Sequence, residues 1–394
     1  MSKLEELIEK LCPNGVEFKE LQEICNVSIG EFVHKNKQRE DAIYPVFNGG
    51  ISNTGFYDEY NNEGNKVLVS ARGANAGFVN KIETRYWAGN SCYSIAVKDN
   101  EYINWLYVYY FLKNNEKNLL GQQQTGSIPA ISKKQIESFK IAVPPLEVQC
   151  EIVHILDDFT LLSAELSAEL KARQQQYEYY RDKLINEGYE KEIPLNEVCE
   201  IKGRIGFRGY TRNDLVEKGN GAISFSPGNI SNETINYEKC TYVSWEKYEE
   251  SPEIMINNND ILLCKTGSTL GKVAQVKDLP EKATINPQLV VLKNIKCDAS
   301  YLRFILGGYY FQAEMQSKKG LGSVPNITQK DIGEIKIKLH NREKQKQIAE
   351  CLEKLDSLCN DISEGLPAEI EARRKQYEYY RDKLLTFKEL KVEE

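Results

Sequence analysis

Tyr177-Glu178-Tyr179-Tyr180-Arg181-Asp182-Lys183-Leu184 returns unchanged as Tyr377-Glu378-Tyr379-Tyr380-Arg381-Asp382-Lys383-Leu384, an offset of 200 residues in a chain of 394. Each copy closes a long stretch with apolar residues every three or four positions. Each stretch follows a larger segment rich in strand and turn signals. The order reads domain, helix, domain, helix. Two similar heads joined by rigid rods fit recognition of something with approximate two-fold symmetry better than they fit a single catalytic pocket.

In the first rod, Ile152, Leu156, Phe159, Leu162, Leu166, Leu170, Tyr177, Tyr180 and Leu184 fall on one stripe. In the second the stripe is Ile348, Leu352, Leu355, Leu358, Ile362, Leu366, Ile370, Tyr377, Tyr380 and Leu384. These spacings are those of a coiled-coil seam, with Arg173 and Arg373 filling a seam position. A rod of about 35–40 residues, or roughly 50–60 Å, is poorly stable as a lone amphipathic helix. Its simplest partner is the other rod, running antiparallel, which would hold the heads apart by a fixed distance. The offset is 196 at Ile152/Ile348 but 200 at Tyr177/Tyr377, so the second rod carries an insertion that keeps the apolar face nearly in phase. Gly365 and Pro367 interrupt it, Pro367 being either a kink or the first residue of a new helix.

The duplication extends into the heads. Leu21-Gln22-Glu23-Ile24-Cys25 answers to Leu195-Asn196-Glu197-Val198-Cys199, and the stretch from Val67 to Gly77 answers to Ile261 through Gly271. In that second pair an apolar strand meets a basic residue, Arg72 or Lys265, and then a loop with glycines four apart. Gly126-Ser127-Ile128-Pro129-Ala130-Ile131 answers to Gly322-Ser323-Val324-Pro325-Asn326-Ile327. Between the anchors, Tyr44 to Tyr60 and Ile223 to Tyr248 carry different polar and aromatic sets. Shared anchors imply one scaffold, and divergent middles imply two targets. Short apolar runs predict strands at Lys66 to Ser70, Cys92 to Val97, Asp260 to Cys264 and Leu289 to Leu292, with helices over Ile103 to Leu112 and Ser300 to Gln316. The fold class is α+β: two similar mixed globular domains, 1–145 and 189–340, separated by long antiparallel coiled-coil helices, 146–188 and 341–390, with a pseudo-two-fold duplication.

Net charge is -7, which by itself argues weakly against nucleic acid, although distribution decides. The ten cysteines include no CxxC pair, and with three histidines no metal site is expected; they read as buried thiols of a reducing cytosol. The charged opening stretch is not a signal peptide, and no apolar run approaches the ~20 residues of a membrane span. A soluble intracellular protein is expected.

Catalytic signals fail one by one. Gly267-Ser268-Thr269-Leu270-Gly271-Lys272 is one residue short between its glycines for a phosphate loop and continues with Val273. Asn286-Pro287-Gln288-Leu289 lacks the second proline and the aromatic residue of the amino-methyltransferase motif. No nucleophile–base arrangement stands out. What remains are loops of amide, hydroxyl and basic side chains beside glycines, suited to base edges and phosphates. The candidates in the first half are Asn48, Asn53, Arg72, Asn75, Arg85 and the Gln122–Thr125 stretch with Gln123 at its centre. In the second half they are Arg204, Arg208, Arg212, Lys265, Thr266, Ser268, Thr269, Lys318, Lys319 and Ser323. Singly, each also reads as a solvated loop charge or turn former, and Tyr57, Tyr60, Trp87 and Trp245 as core or platform residues.

The two Tyr-Glu-Tyr-Tyr-Arg-Asp-Lys-Leu segments, the stretch Ile362 to Ile370, and the Gly-Ser-(Ile/Val)-Pro anchors with Gln149 and Gln345 give the chain its resemblance, over nearly its whole length, to the specificity subunit of type I restriction–modification systems. The resemblance implies that the chain itself is not an enzyme. It implies two target-recognition domains, each reading half of a split double-stranded DNA sequence, on a coiled coil that sets the spacer and docks two methyltransferase subunits. Those partners would carry S-adenosylmethionine and methylate adenine; a restriction/translocase subunit using ATP and magnesium would join them in a prokaryotic cytoplasm. On the same footing Tyr177, Tyr180, Arg181, Tyr377, Tyr380 and Arg381 become candidate partner-facing residues, with helix packing as their other use. The alternatives are a coiled-coil protein–protein scaffold without DNA specificity and, less favoured, a self-contained DNA-modifying enzyme.

Overall fold

The structure is a computed structural model and describes residues 3–121, 129–204, 211–320, 324–360 and 364–390. It divides into two compact units. The first comprises Met1–Glu165 with Glu371–Glu394, and the second Leu166–Ile370.

The first unit centres on an antiparallel sheet in the order Cys25–Ile29, Cys92–Val97, Lys66–Ser70, Val79–Ile82. Lys66–Ser70 is an apolar run because four of its five residues are buried. A second sheet is built on Tyr44–Phe47, which pairs antiparallel with Gly55–Tyr57 and parallel with Trp87–Ala88. A two-stranded pair, Glu17–Glu20 with Lys140–Val143, closes the unit. The helix Trp105–Asn114, capped by the Asn104 side chain, lays Tyr107, Val108, Tyr110, Phe111 and Leu112 into the core.

The second unit repeats this plan and adds Leu215–Val216 at the edge of its second sheet and a hairpin of Ile230–Ser231 with Thr234–Ile235. Glu200–Lys202, Leu289–Lys293, Ile261–Cys264 and Val273–Gln275 form the antiparallel sheet. Gly221–Phe225 pairs antiparallel with Thr241–Ser244 and parallel with Ala283–Ile285. Lys191–Pro194 pairs with Lys336–Leu339. The segments whose sequences diverge most therefore share one topology, because ladder hydrogen bonds use backbone groups and leave the side chains free to differ. The helical stretch expected from Ser300 to Gln316 is two helices, Ala299–Gly307 and Tyr309–Ser317, meeting at Gly308.

The first rod is one continuous helix, Leu146–Asn186. The second is two, Arg342–Asn360 and Leu366–Leu384. Pro367 stands in the first turn of the later helix, where its missing N–H removes no bond, and the Gly365 carbonyl accepts from Ala368 and Glu369 N–H. Within the first unit, Phe159 packs at 6.3 Å from Tyr377 and 5.8 Å from Tyr380. Within the second, the His340 ring sits 2.9 Å from the Glu187 carbonyl and Tyr177 packs 6.4 Å from Phe304. Each unit thus joins one head to the end of the rod from the other half of the chain, and the two octapeptides are exchanged: 177–184 in the second unit, 377–384 in the first.

The seam departs from expectation at its ends. Ile152, Leu156, Leu166, Ile348, Leu352 and Leu366 are buried. Leu358 is 39 % exposed, while Asp356 and Cys359 take its place inside, because Asp356 turns inward to meet Arg303 at 2.9 Å. Tyr180 also faces solvent, and Leu385 is buried where Leu384 was expected. Ile362 lies outside the described residues. Both rods tie to the head helix that precedes them through a buried glutamine. Gln149 accepts from Asn104 N–H at 2.8 Å and donates to the Pro144 carbonyl at 2.7 Å; Gln345 accepts from Asp298 N–H at 3.0 Å and donates to the His340 carbonyl at 2.7 Å.

Candidate nucleic-acid interface

The loops at 71–78 and 265–272 fold alike. In the first, Gly77 N–H donates to Ser70 O and Ser70 N–H to Phe78 O; in the second, Gly271 N–H donates to Cys264 O and Cys264 N–H to Lys272 O. Their glycines four apart all have left-handed backbone, φ 93° and 87° at Gly73 and Gly77, 90° and 95° at Gly267 and Gly271. A side chain there would be strained, which is why both halves carry glycine at the same spacing.

Each loop is also sewn to the anchor that the sequence places some 60 residues later. Gly73 N–H donates to Pro129 O and Ile131 N–H to Ala71 O; Gly267 N–H donates to Pro325 O and Ile327 N–H to Lys265 O. A third segment completes the neighbourhood, since Ala71 N–H donates to Ser91 O and Lys265 N–H to Gln288 O. The two anchors read separately in the sequence are one structural feature in each unit.

Around the first loop, Arg72 is exposed, and Asn75 is half-buried. Asn48 is half-buried, its amide donating to Thr54 Oγ1 at 3.4 Å, and Asn53 donates to Gly55 O at 3.4 Å. Asn48 is held close to the backbone: a Cβ on Gly89 would lie 1.6 Å from its Oδ1. Around the second loop, Thr266 Oγ1 donates to Asn326 Oδ1 at 2.8 Å, Ser268 is exposed, Thr269 Oγ1 lies 3.4 Å from Cys264 Sγ, and Lys265 is half-buried. Asn286 ends in a local turn, accepting Gln288 N–H at 3.0 Å.

Other candidates lie elsewhere or are otherwise engaged. Arg85 pairs with Glu63 at 2.8 Å and stands over the Tyr60 ring, and that hydrogen bond holds the Glu63 carboxyl below its usual range. Arg204 is buried and donates to the Ile285 carbonyl at 2.9 Å, in the place where Glu31 N–H serves Ala88 O in the first unit. It is a framework residue, not a loop charge. Lys318 and Lys319 are exposed at the end of Tyr309–Ser317, Lys319 donating to Gln316 at 3.0 Å. Gln123 with its neighbours, Arg208 and Ser323 fall outside the described residues, and of Arg212 only the backbone, opening a short 3-10 turn, is described.

The expected partner-facing residues divide. Tyr177 and Arg181 are buried in the second unit, where Arg181 bonds Glu233 at 3.0 Å; burial opposes the guanidinium charge, and Glu233, Tyr177 and Asp182 together more than offset it, pushing its pKa up. Arg303 bridges the same Glu233 at 3.1 Å to Asp356. Arg381 instead pairs with Asp382 at 2.9 Å, and Tyr377 is half-buried. Tyr180 is exposed. Tyr380 lines a cavity of about 680 Å³ with Leu4, Ile8, Ile155 and Phe387.

Sequence reading passed over His34-Lys35-Asn36-Lys37-Gln38-Arg39, a basic segment, exposed except for half-buried Gln38, that joins Phe56 through Arg39 N–H and whose signal was three cations in five residues. Gln288 and Asn326 were also missed, although both follow from aligning the halves. Among the described residues no group of three or more His, Cys, Asp or Glu is placed to hold a metal, and no helix is long and apolar enough to cross a membrane.

A family model described as the type I restriction modification DNA specificity domain matches twice, at residues 13–173 and 186–372. A type I restriction enzyme specificity subunit of Escherichia coli is 35% identical over 290 residues, 71% of this chain and 70% of that protein. A putative type I restriction enzyme specificity subunit of Haemophilus influenzae is 29% identical over 402 residues, covering 96% and 98%. Among solved structures, the S subunit of a type I restriction–modification system from M. genitalium superposes with a TM-score of 0.60 at 17% identity, over 94% of this chain and 96% of that one, a likeness of fold.

Proposed function

This chain belongs to the type I restriction–modification DNA specificity family, and on that premise we propose that it reads a split duplex sequence, one half with each head, while its helices hold two adenine methyltransferase subunits. The chain is the recognition subunit and not the catalyst. The observation that carries the two-head reading is the repeated loop, sewn to its anchor by the same backbone bonds in both units, with Arg72, Asn75 and Ala130 in one and Thr266, Thr269 and Asn326 in the other. An identical frame presenting different side chains is what two different half-sites require. In this reading S-adenosylmethionine belongs to the methyltransferase partners, ATP and magnesium to a nuclease/translocase partner, and the complex works in a prokaryotic cytoplasm.

The test is the methylation pattern of cells carrying the chain with its methyltransferase. Exchanging residues 26–140 for those of a relative should change one half-site and leave the other intact. Adding or removing four residues near 358–362 should change the spacer and not the bases. A change in both half-sites on the first exchange refutes the division of labour, and a partner complex without sequence preference points instead to a scaffold.

A further inference from the structure

We propose that the first head grips its half-site through the segment following the strand Cys25–Ile29, with Lys35 and Lys37 on backbone phosphates and Gln38 reading a base edge. The proposal rests on the DNA-recognition reading above. The root of this segment is fixed: Gly30 N–H donates to Cys92 O, Glu31 N–H donates to Ala88 O, and Trp87 Nε1 donates to Glu31 O at 2.8 Å. Val33 is 5% exposed and anchors it in the protein. The tip is a single 3-10 turn, Lys35–Lys37, closed by Lys37 N–H on His34 O and Gln38 N–H on Lys35 O. A projection so rooted presents its side chains in a set geometry, which direct readout needs.

Charge on this segment is distributed unevenly. Arg39 is neutralised by Asp41 at 3.1 Å and Asp58 at 3.2 Å. Lys35 and Lys37 are exposed and have no carboxylate in ion-pair contact among the described residues. In a chain of net charge -7, uncompensated cations side by side make a local positive site for phosphate.

Gln38 continues the line toward the glycine loop. Its Oε1 accepts from Thr54 Oγ1 at 3.0 Å, and Thr54 is itself held by its N–H on Val46 O at 2.8 Å. Asn48 joins the same hydroxyl at 3.4 Å, and a Cβ on the next residue, Gly49, would lie 3.3 Å from Arg72 O. Gln38, Thr54, Asn48 and the Arg72 loop are therefore a continuous polar row. With one lone pair of Oε1 engaged by Thr54, the Gln38 amide keeps a donor and an acceptor side by side, the pattern that meets the N7 and N6 edge of adenine in the major groove.

The experiment uses the full chain in its complex with the methyltransferase, titrated by fluorescence anisotropy against a duplex bearing its methylated motif and against single-base mismatches, from about 50 to 200 mM salt. The pair Lys35→Gln and Lys37→Gln should weaken binding to matched and mismatched duplexes equally and lower the slope of log K against log salt by about 2. Gln38→Ala should narrow the preference at one position of one half-site by about 10- to 100-fold while leaving the salt slope unchanged. An unaltered slope in the lysine pair, or unaltered discrimination in Gln38→Ala, while the unsubstituted complex remains sequence-specific, overturns this proposal alone. If the unsubstituted complex shows no preference, the recognition reading falls and takes this one with it.

Discussion

Replacing Gln149 by glutamate should make the stability of the first unit pH-dependent. The side chain is fully buried. Its Oε1 accepts the Asn104 N–H, while its Nε2 donates to the Pro144 carbonyl at 2.7 Å and the Tyr102 carbonyl at 3.2 Å. A carboxylate can keep the first bond but would turn a second oxygen toward two carbonyls; only the protonated acid can donate there. The folded state therefore binds the proton more tightly than the unfolded chain, so its carboxyl pKa rises above the usual value near 4.3. Stability of Gln149→Glu is highest below that usual value and falls as pH rises through the window up to the folded pKa, by about 1.4 kcal/mol per pH unit inside it. Gln149→Leu lacks the titration: it orphans one buried N–H and two carbonyls, at a cost of about 3–5 kcal/mol at every pH.

Two units need not unfold together, so a single global free energy is the wrong readout. Hydrogen exchange of peptides covering 102–112, with Trp105 fluorescence in urea, reports on the first unit; peptides covering 298–307 report on the second. Gln345 is the internal control. It is 4% exposed and makes the matching bonds to Asp298 N–H and the His340 carbonyl. Gln345→Glu should therefore reproduce the pH effect in the second unit only. Stability of Gln149→Glu that stays flat between pH 5 and 8 would refute the reasoning, as would a Gln149→Leu variant within about 1 kcal/mol of the parent.

Burial raises the thiols of Cys25, Cys199 and Cys297 to about 12 and that of Cys92 to about 11, whereas Cys150 and Cys351 are exposed; a thiol reagent at pH 8 should label Cys150 and Cys351 quickly and the buried four only after denaturation, and early labelling of Cys92 or Cys297 would contradict the packing. Burial raises the Glu353 carboxyl, but hydrogen bonds from Lys277 and Ser300 outweigh it and hold the group below the usual carboxylate range. Its contribution is present above the unfolded value and is lost as pH falls through the lower folded one. The urea midpoint of the second unit should accordingly separate parent from Glu353→Gln at pH 7 and bring them together at low pH; a gap that widens on acidification would reverse the sign.

The rods and the central strands were legible because their signals are local. Val67–Val69 and Ile261–Cys264 are apolar throughout and buried throughout, so composition and burial coincide. The second sheet in each head was not legible. Tyr44–Phe47 and Gly221–Phe225 share no pattern, and the parallel partner of the first is only Trp87–Ala88. Pairing there is decided by what the chain meets in space, which no short window contains. Among the candidate readers, Arg72 and Arg204 look alike in sequence, each basic and next to glycine. One is exposed at a loop and the other is buried against the Ile285 carbonyl, and the difference arises because Arg204 stands where the first unit uses a backbone amide. The exchange of octapeptides between units follows from the antiparallel pairing expected of the rods, since it sets the end of each rod beside the start of the other.

That exchange separates what packing demands of the octapeptides from what it does not. Inside, the two copies have different neighbours: Tyr177 and Arg181 meet Phe304 and Glu233, whereas Tyr377 meets Phe159 and Arg381 turns to Asp382. Different surroundings would allow the buried positions to drift apart. Outside, Tyr179 and Tyr379 are 61% and 64% exposed, Tyr180 is also exposed, and Lys183 and Lys383 lie in solvent. A solvent-facing tyrosine contributes little to its own fold and gains nothing from matching a residue 200 positions away. Identity at exposed positions above divergent contacts is the pattern expected when the constraint lies outside the chain, which is where the proposed function puts its partner subunits. On the function proposed above, the heads differ where two half-sites would be told apart, and the helices agree where two identical subunits would be held.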